Sequence, residues 1–268
     1  MLRPRIIPCL LINDGALVKT VKFKDSKYVG DPINAVKIFN EKEADELFVL
    51  DIGATVNSLQ PNFNLIEKLA AECRMPLCYG GGIDSAKQVI KLVDMGVEKV
   101  AISASAISKP SIVKELVSAV GSQSIVVILD IYKKKNFLSE GYEVRSHNAK
   151  KIHKTDPFSL IKTLQDFGVG EIVINSVDRD GLMCGYDLDL ALKVKSFAKV
   201  PITFLGGAGS LDDMEHLINN IGIVGAAAGS LFVFKGKYRA VLINYPTPEQ
   251  KLKLYLNTIK EKNDKKIF

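Results

Sequence analysis

Asp130 is the side chain with the clearest chemistry in prospect, because it follows an apolar run, Ile125-Val-Val-Ile-Leu, that has the character of a buried strand. A carboxylate at the C-terminal end of a barrel strand faces the mouth rather than the packed interior, where it can give or take a proton. The alternative is a cap on the segment that follows. Asp51 ends a second such run, and Asp178 and Asp180 end a third within Ser176-Val-Asp-Arg-Asp-Gly. These carboxylates can orient a ligand or the loop, and Asp178 with Arg179 can equally form a structural pair.

Gly80-Gly-Gly and Gly206-Gly-Ala-Gly each follow a strand-like run, and Gly229-Ser230 follows another. Backbone N–H groups unobstructed by a Cβ can cradle a phosphate at such turns, which makes Gly81, Gly82, Gly206, Gly207, Gly229 and Ser230 candidate phosphate ligands. The bland reading is glycines that only make tight turns. Two such sites across one mouth suit an elongated ligand with phosphate at both ends. After the first strand, a long loop carries Lys19, Lys22, Lys24 and Lys27. It reads either as a lid holding a cation over an anionic substrate or as a solvated basic hairpin. A second insertion, from Tyr132 to Lys154, reads as a hairpin beside the mouth, with His147 and His153 as surface residues. Arg5, Glu46, Lys99 and Glu171 fall where strands begin, and such charges can simply be salt bridges closing the barrel bottom. No spacing of His and carboxylates suggests a metal, and no cofactor is expected.

The elements that must position these residues alternate. β-Branched runs begin near Ile6, Leu47, Leu77, Lys99, Ile125, Ile172, Ile202 and Val224, separated by helical patterns as in Pro32 to Lys42, Ser85 to Met95, Pro157 to Phe167 and Leu188 to Phe197. The chain also repeats itself. Asp45-Glu-Leu-Phe-Val-Leu-Asp-Ile matches Gly170-Glu-Ile-Val-Ile-Asn-Ser-Val, and Met75-Pro-Leu-Cys-Tyr-Gly-Gly-Gly-Ile matches Val200-Pro-Ile-Thr-Phe-Leu-Gly-Gly-Ala; 171 − 46 and 206 − 81 both give a register of 125. Ile6-Ile-Pro-Cys-Leu-Leu-Ile lies on Ile125-Val-Val-Ile-Leu-Asp-Ile, which puts Leu11 opposite Asp130. Two four-unit halves predict one α/β domain over 1–268, a single (β/α)8 TIM barrel, with 256–268 as a frayed polar tail. A doubly wound open sheet is the alternative.

With 268 residues, 47% of them hydrophobic, the chain can bury a full barrel core, and its net charge of +6 is compatible with anionic metabolites. Cys9, Cys73, Cys78 and Cys184 lack C-x-x-C spacing and read as reduced, mostly buried thiols. The Pro-interrupted N-terminus does not read as a signal peptide, and no apolar stretch is long enough for a membrane span. The expected protein is soluble and cytoplasmic, without nucleic-acid or membrane partners.

Taken together, Arg5-Ile-Ile-Pro-Cys-Leu, Val18-Lys19, Leu50-Asp-Ile, Gly80-Gly-Gly-Ile, Glu98-Lys-Val, Val177-Asp-Arg-Asp-Gly and Gly206-Gly-Ala-Gly resemble the cyclase subunit (HisF) family of imidazole glycerol phosphate synthase, from residue 3 to about residue 235. The resemblance implies a lyase of histidine biosynthesis that joins ammonia with the bisphosphorylated intermediate PRFAR, giving imidazole glycerol phosphate and AICAR. It also implies a HisH-type glutaminase partner on the N-terminal barrel face, with ammonia passing through the barrel. Arg5, Glu46, Lys99 and Glu171 match the family's gate, and Lys19, Asp180, Gly181, Gly206, Gly207 and Ser230 match its ligand-binding positions. Family catalysis uses two aspartates across the mouth. Asp130 matches one, but Leu11 stands where the other is expected, and Ser103-Ala104 stands where the family carries Asn-Thr at a phosphate site. These departures, with Leu11-Ile-Asn-Asp-Gly and Tyr28-Val-Gly-Asp-Pro-Ile-Asn-Ala, resemble the WbuZ-like branch associated with sugar amidation in surface polysaccharide synthesis. There a separate N-acetyl sugar amidotransferase is thought to use the ammonia. The favoured expectation is thus a HisF-like amidotransferase subunit serving sugar amidation; an authentic histidine-pathway cyclase and a non-catalytic scaffold for the glutaminase are the alternatives.

Overall fold

In the computed structural model, which describes residues 3–136 and 139–255, the chain runs β1 (Arg5–Asn13), β2 (Ala16–Val21), β3 (Lys24–Gly30), α1 (Pro32–Glu41), β4 (Leu47–Asp51), α2 (Phe63–Glu72), β5 (Leu77–Gly80) and α3 (Ala86–Asp94). There follow β6 (Lys99–Ile102), α4 (Ala104–Ser108), α5 (Ile112–Val120), β7 (Ile125–Asn136), β8 (Ser139–Ser146), β9 (Lys151–His153), α6 (Pro157–Asp166) and β10 (Glu171–Ser176). The last elements that bear on the site are α7 (Leu188–Lys195), β11 (Ile202–Leu205), α8 (Leu211–Ile221), β12 (Gly225–Ala228) and α9 (Ser230–Val233). Parallel pairing runs β1, β4, β5, β6, β7, β10, β11, β12 and back to β1, which closes a (β/α)8 TIM barrel and excludes the open sheet. Each barrel strand starts within one residue of its expected position. The proposed tail, 256–268, lies outside the described residues.

Alternation along the strands sorts their apolar side chains into two layers. Ile7, Cys9, Phe48, Cys78, Val126 and Val173 belong to the group that fills the barrel interior, whereas Ile6, Leu47, Leu77 and Ile172 pack outward with helix residues such as Val36, Leu69, Val89 and Ile161. Both halves start their helices alike. Asp31 and Asp156 accept from the backbone of Asn34 and Ser159, each ahead of a proline at the first helical position, where a missing N–H costs nothing. These pairs of positions again differ by 125, so the duplication extends to the helix caps. Among the described residues no helix is long and apolar enough to cross a membrane.

Candidate functional site

At the C-terminal ends of the strands lies a cavity of about 620 Å³. Lys19, Asp51, Gly81, Gly82, Ser103, Asp130, Asp180 and Gly229, all candidates from the sequence, line it. Asp130 sits on β7 next to β10, and Asn175 of β10 donates to its Oδ1 from Nδ2 at 2.9 Å. Burial pushes the Asp130 carboxyl up to about 7; the Asn175 bond opposes the shift and Asp180 reinforces it. A carboxyl poised there can both donate and accept a proton near neutral pH. Leu11, on β1, lines the same cavity and packs with Leu50 against the barrel interior. Asp51 lines the cavity and also orients its own loop, one of the two roles expected of it. Its Oδ1 accepts from the backbone of Gly53 and Ala54 at 2.9 and 3.0 Å, which caps the turn after β4.

The basic loop resolves into a hairpin of β2 and β3 in which Lys22, Lys24 and Lys27 are exposed, while Lys19 is buried. Lys19 donates from Nζ to the Cys9 carbonyl at 2.6 Å. Its ammonium occupies the space a Cβ on residue 229 would need, so Gly229 is required by the lysine rather than by its own backbone angles. Burial lowers the Lys19 pKa, with Cys9 and Asp180 acting against that. The hairpin tip is docked: Thr20 donates to Asp180 Oδ2 at 3.3 Å, and the Lys22 N–H to the Asp180 carbonyl at 3.0 Å. A Cβ on Gly181 would strike the Thr20 carbonyl.

Gly81 and Gly206 hold the same turn in the two halves. Their φ angles are +126° and +94°, and each is pressed against the end of the preceding strand, at Asp51 and Ser176. Only glycine tolerates both the angle and the approach. The two turns differ in access. Gly81 and Gly82 face the cavity with Ser103, whose buried hydroxyl has no hydrogen-bond partner in the structure. Gly206 and Gly207 do not line it; the Gly207 carbonyl accepts from the Gly185 N–H at 2.8 Å. Gly181 and Ser230 also stand outside the cavity, bridged by Arg239, which donates to the Gly181 carbonyl at 3.2 Å and to Ser230 Oγ at 3.4 Å. Of the two glycine turns expected to hold phosphate, the first lines this cavity and the second stands outside it.

The Asp178 and Arg179 pair does not form: Asp178 accepts from the Lys133 N–H at 3.2 Å, and Arg179 donates to the Gly185 carbonyl at 3.0 Å. The second insertion forms the hairpin of β7 and β8 beside the mouth, but His147 lines the cavity rather than facing away. Cys9 and Cys78 are buried, Cys73 half-buried and Cys184 exposed, fewer buried thiols than expected. Sequence reading missed Asn175, Arg239 and Asn148, whose Nδ2 donates to the Ile52 carbonyl at 3.0 Å.

At the N-terminal end the charged ring is closed. Arg5 bonds Glu46 and, at 2.7 Å, Glu171; Lys99 bonds the same two carboxylates at 2.7 and 2.8 Å. Thr203 adds a donor to Glu171 Oε1 at 2.5 Å. Burial opposes ionisation of Glu171, yet the bonds and charges of Arg5 and Lys99 outweigh it and hold the carboxyl below its usual range. Burial pushes Glu46 up, against the pull of Arg5 and Lys99.

The profile of a family described as Histidine biosynthesis protein matches residues 5–239. A protein of Leptospira borgpetersenii, provisionally named imidazole glycerol phosphate synthase subunit HisF, is 53% identical over 255 residues, covering 95% of this chain and 100% of its own. One of Vibrio vulnificus, provisionally named imidazole glycerol phosphate synthase subunit hisF3, is 53% identical over 253 residues, with 94% and 96% covered. The imidazole glycerol phosphate synthase subunit HisF of Streptococcus mutans is 35% identical over 232 residues, with 87% and 91% covered.

Proposed function

Because this chain belongs to the histidine biosynthesis protein family, as a HisF-type synthase subunit, we propose that it takes up ammonia from a HisH-type glutaminase docked on its N-terminal face and serves sugar amidation in surface polysaccharide synthesis. The amide transfer is then completed by a separate N-acetyl sugar amidotransferase in the cytoplasm. The observation that carries this reading is Leu11: an apolar side chain lines the mouth that also holds Asp130. Ammonia addition followed by ring closure needs a proton given at one point and taken at another, and leucine can do neither. Loss of one general acid or base costs on the order of 10²- to 10⁴-fold in rate. The closed ring of Arg5, Glu46, Lys99 and Glu171 supports an ammonia entrance that opens by parting one of its pairs. Lys19 with the Gly81–Gly82 turn and Ser103 suits the phosphate of a small-molecule ligand.

The test is ammonia-dependent turnover of PRFAR by the wild-type chain, Leu11→Asp and Asp130→Asn. The expected result is negligible wild-type turnover that Leu11→Asp partly restores. Robust wild-type turnover that disappears in Asp130→Asn overturns the proposal in favour of an authentic histidine-pathway cyclase, a reading favoured by the poise of Asp130 near neutrality. A tight glutaminase complex that passes no ammonia would instead favour a scaffold.

A further inference from the structure

Resting on the reading of the barrel as a HisF-type subunit that receives ammonia, and going beyond it in having the mouth add that ammonia to a phosphorylated substrate other than PRFAR, we propose that His147, Ser146 and His153 form a proton relay from the cavity to the hairpin surface. The backbone places it there. β8 pairs antiparallel with β7 so that Arg145 lies opposite Asp130, and the chain then turns at His147 into β9. His147, Asn148 and Ala149 all take left-handed φ angles of 55°, 54° and 59°. Such a run of non-glycine residues is sterically costly, and it holds the imidazole at the cavity wall.

Ser146 is buried at 1% exposure, and its hydroxyl lies 2.8 Å from His147 Nδ1 and 2.8 Å from His153 Nε2. One hydroxyl has a single proton to give, so between two imidazole nitrogens it accepts from both or accepts from one and donates to the other, and the relay uses the second arrangement. That leaves His147 Nε2 for the cavity and His153 Nδ1 for the half-buried hairpin edge. The other charged groups that line the cavity with His147 are Lys151, from β9, and Lys19, Asp51, Asp84, Asp130 and Asp180. Burial, helped by Lys151 and His147, lowers the His153 pKa.

The proton balance is simple. Ammonia adding to an electrophilic carbon gives a C–NH3+ group, and His147 Nε2 takes one of its protons. His147 Nδ1–H passes to Ser146 Oγ, the Ser146 hydroxyl proton passes to His153 Nε2, and His153 Nδ1–H is released to water. Where the electrophile is a carbonyl, Asp130, on the other strand of the hairpin, gives its proton to the alkoxide oxygen that the addition leaves on the same carbon, which completes a neutral carbinolamine.

Imidazole resonances of isotopically labelled protein, followed by NMR over pH without substrate, test the relay separately from the proposed function. The expected result is that His147→Gln displaces the His153 titration, that Ser146→Ala uncouples the two rings, and that Ser146→Thr, which keeps the hydroxyl, retains the coupling. With an accepted substrate, Ser146→Ala should lower ammonia-dependent turnover by about 10- to 100-fold and move its pH profile. Independent titrations in the wild type overturn the relay, as does coupling that survives Ser146→Ala. Failure to turn over PRFAR bears on the proposed function alone.

Discussion

Replacing Asp130 with asparagine should make the protein more stable at alkaline pH while removing the titrating carboxyl from the cavity. The folded protein raises this carboxyl from 3.8 to about 7, chiefly through burial. A carboxyl with a raised folded pKa contributes stability that is complete below the unfolded value and lost as pH rises through the folded one, so stability falls across the window from about pH 4 to about pH 7. Three pH units at about 1.36 kcal/mol each set a ceiling of ~4 kcal/mol. Asp130 lines an open cavity, and solvent screening there reduces the expected figure to about 2 kcal/mol. Asparagine matches its volume and can still accept from Asn175 Nδ2, so packing is preserved. Urea unfolding at about pH 5 and about pH 8 should show the wild type losing roughly 1–2 kcal/mol more than Asp130→Asn between the two conditions, at unchanged m-value. Parallel pH dependences in the two proteins would refute the claim that Asp130 is held protonated by its surroundings.

Gly229→Ala fits the backbone, with φ −100°, but not the Lys19 ammonium; binding of inorganic phosphate by calorimetry should weaken by about tenfold or more with little loss of helix content. Glu171→Gln leaves Arg5 and Lys99 facing one carboxylate in the N-terminal ring, and chemical denaturation should show a loss of about 2–3 kcal/mol, moderated because both cations are partly exposed. In the native protein at mildly alkaline pH, Cys184 should react rapidly with a thiol reagent while Cys9, pushed by burial up to about 11, and Cys78 react only on unfolding; fast labelling of Cys9 would mean that the β1 end of the barrel opens.

How much was legible in the sequence depended on how far apart the interacting residues lie. Strand starts, helical stretches and the 125-residue register were read without coordinates, because each is written in neighbouring residues: β-branched runs, helical periodicity and the glycine turns. Closure of the barrel followed from the repeat, since eight similar units leave no edge to place. Asp130 was found because strand-end position alone aims a side chain at the mouth. What tertiary structure decided are pairings without local signature. Asn175 meets Asp130 across 45 positions, Arg239 reaches Gly181 across 58, and the Thr203 hydroxyl finds Glu171 across 32. Gly206 and Gly207 bond back to Gly185 and stand outside the cavity, whereas the same glycine pattern in the first half lines it. His147 was read as a surface residue because nothing local to it encodes the strand pairing that swings its turn over the barrel. Periodicity fixes which face a residue occupies; which distant group waits on that face is set by packing the whole barrel.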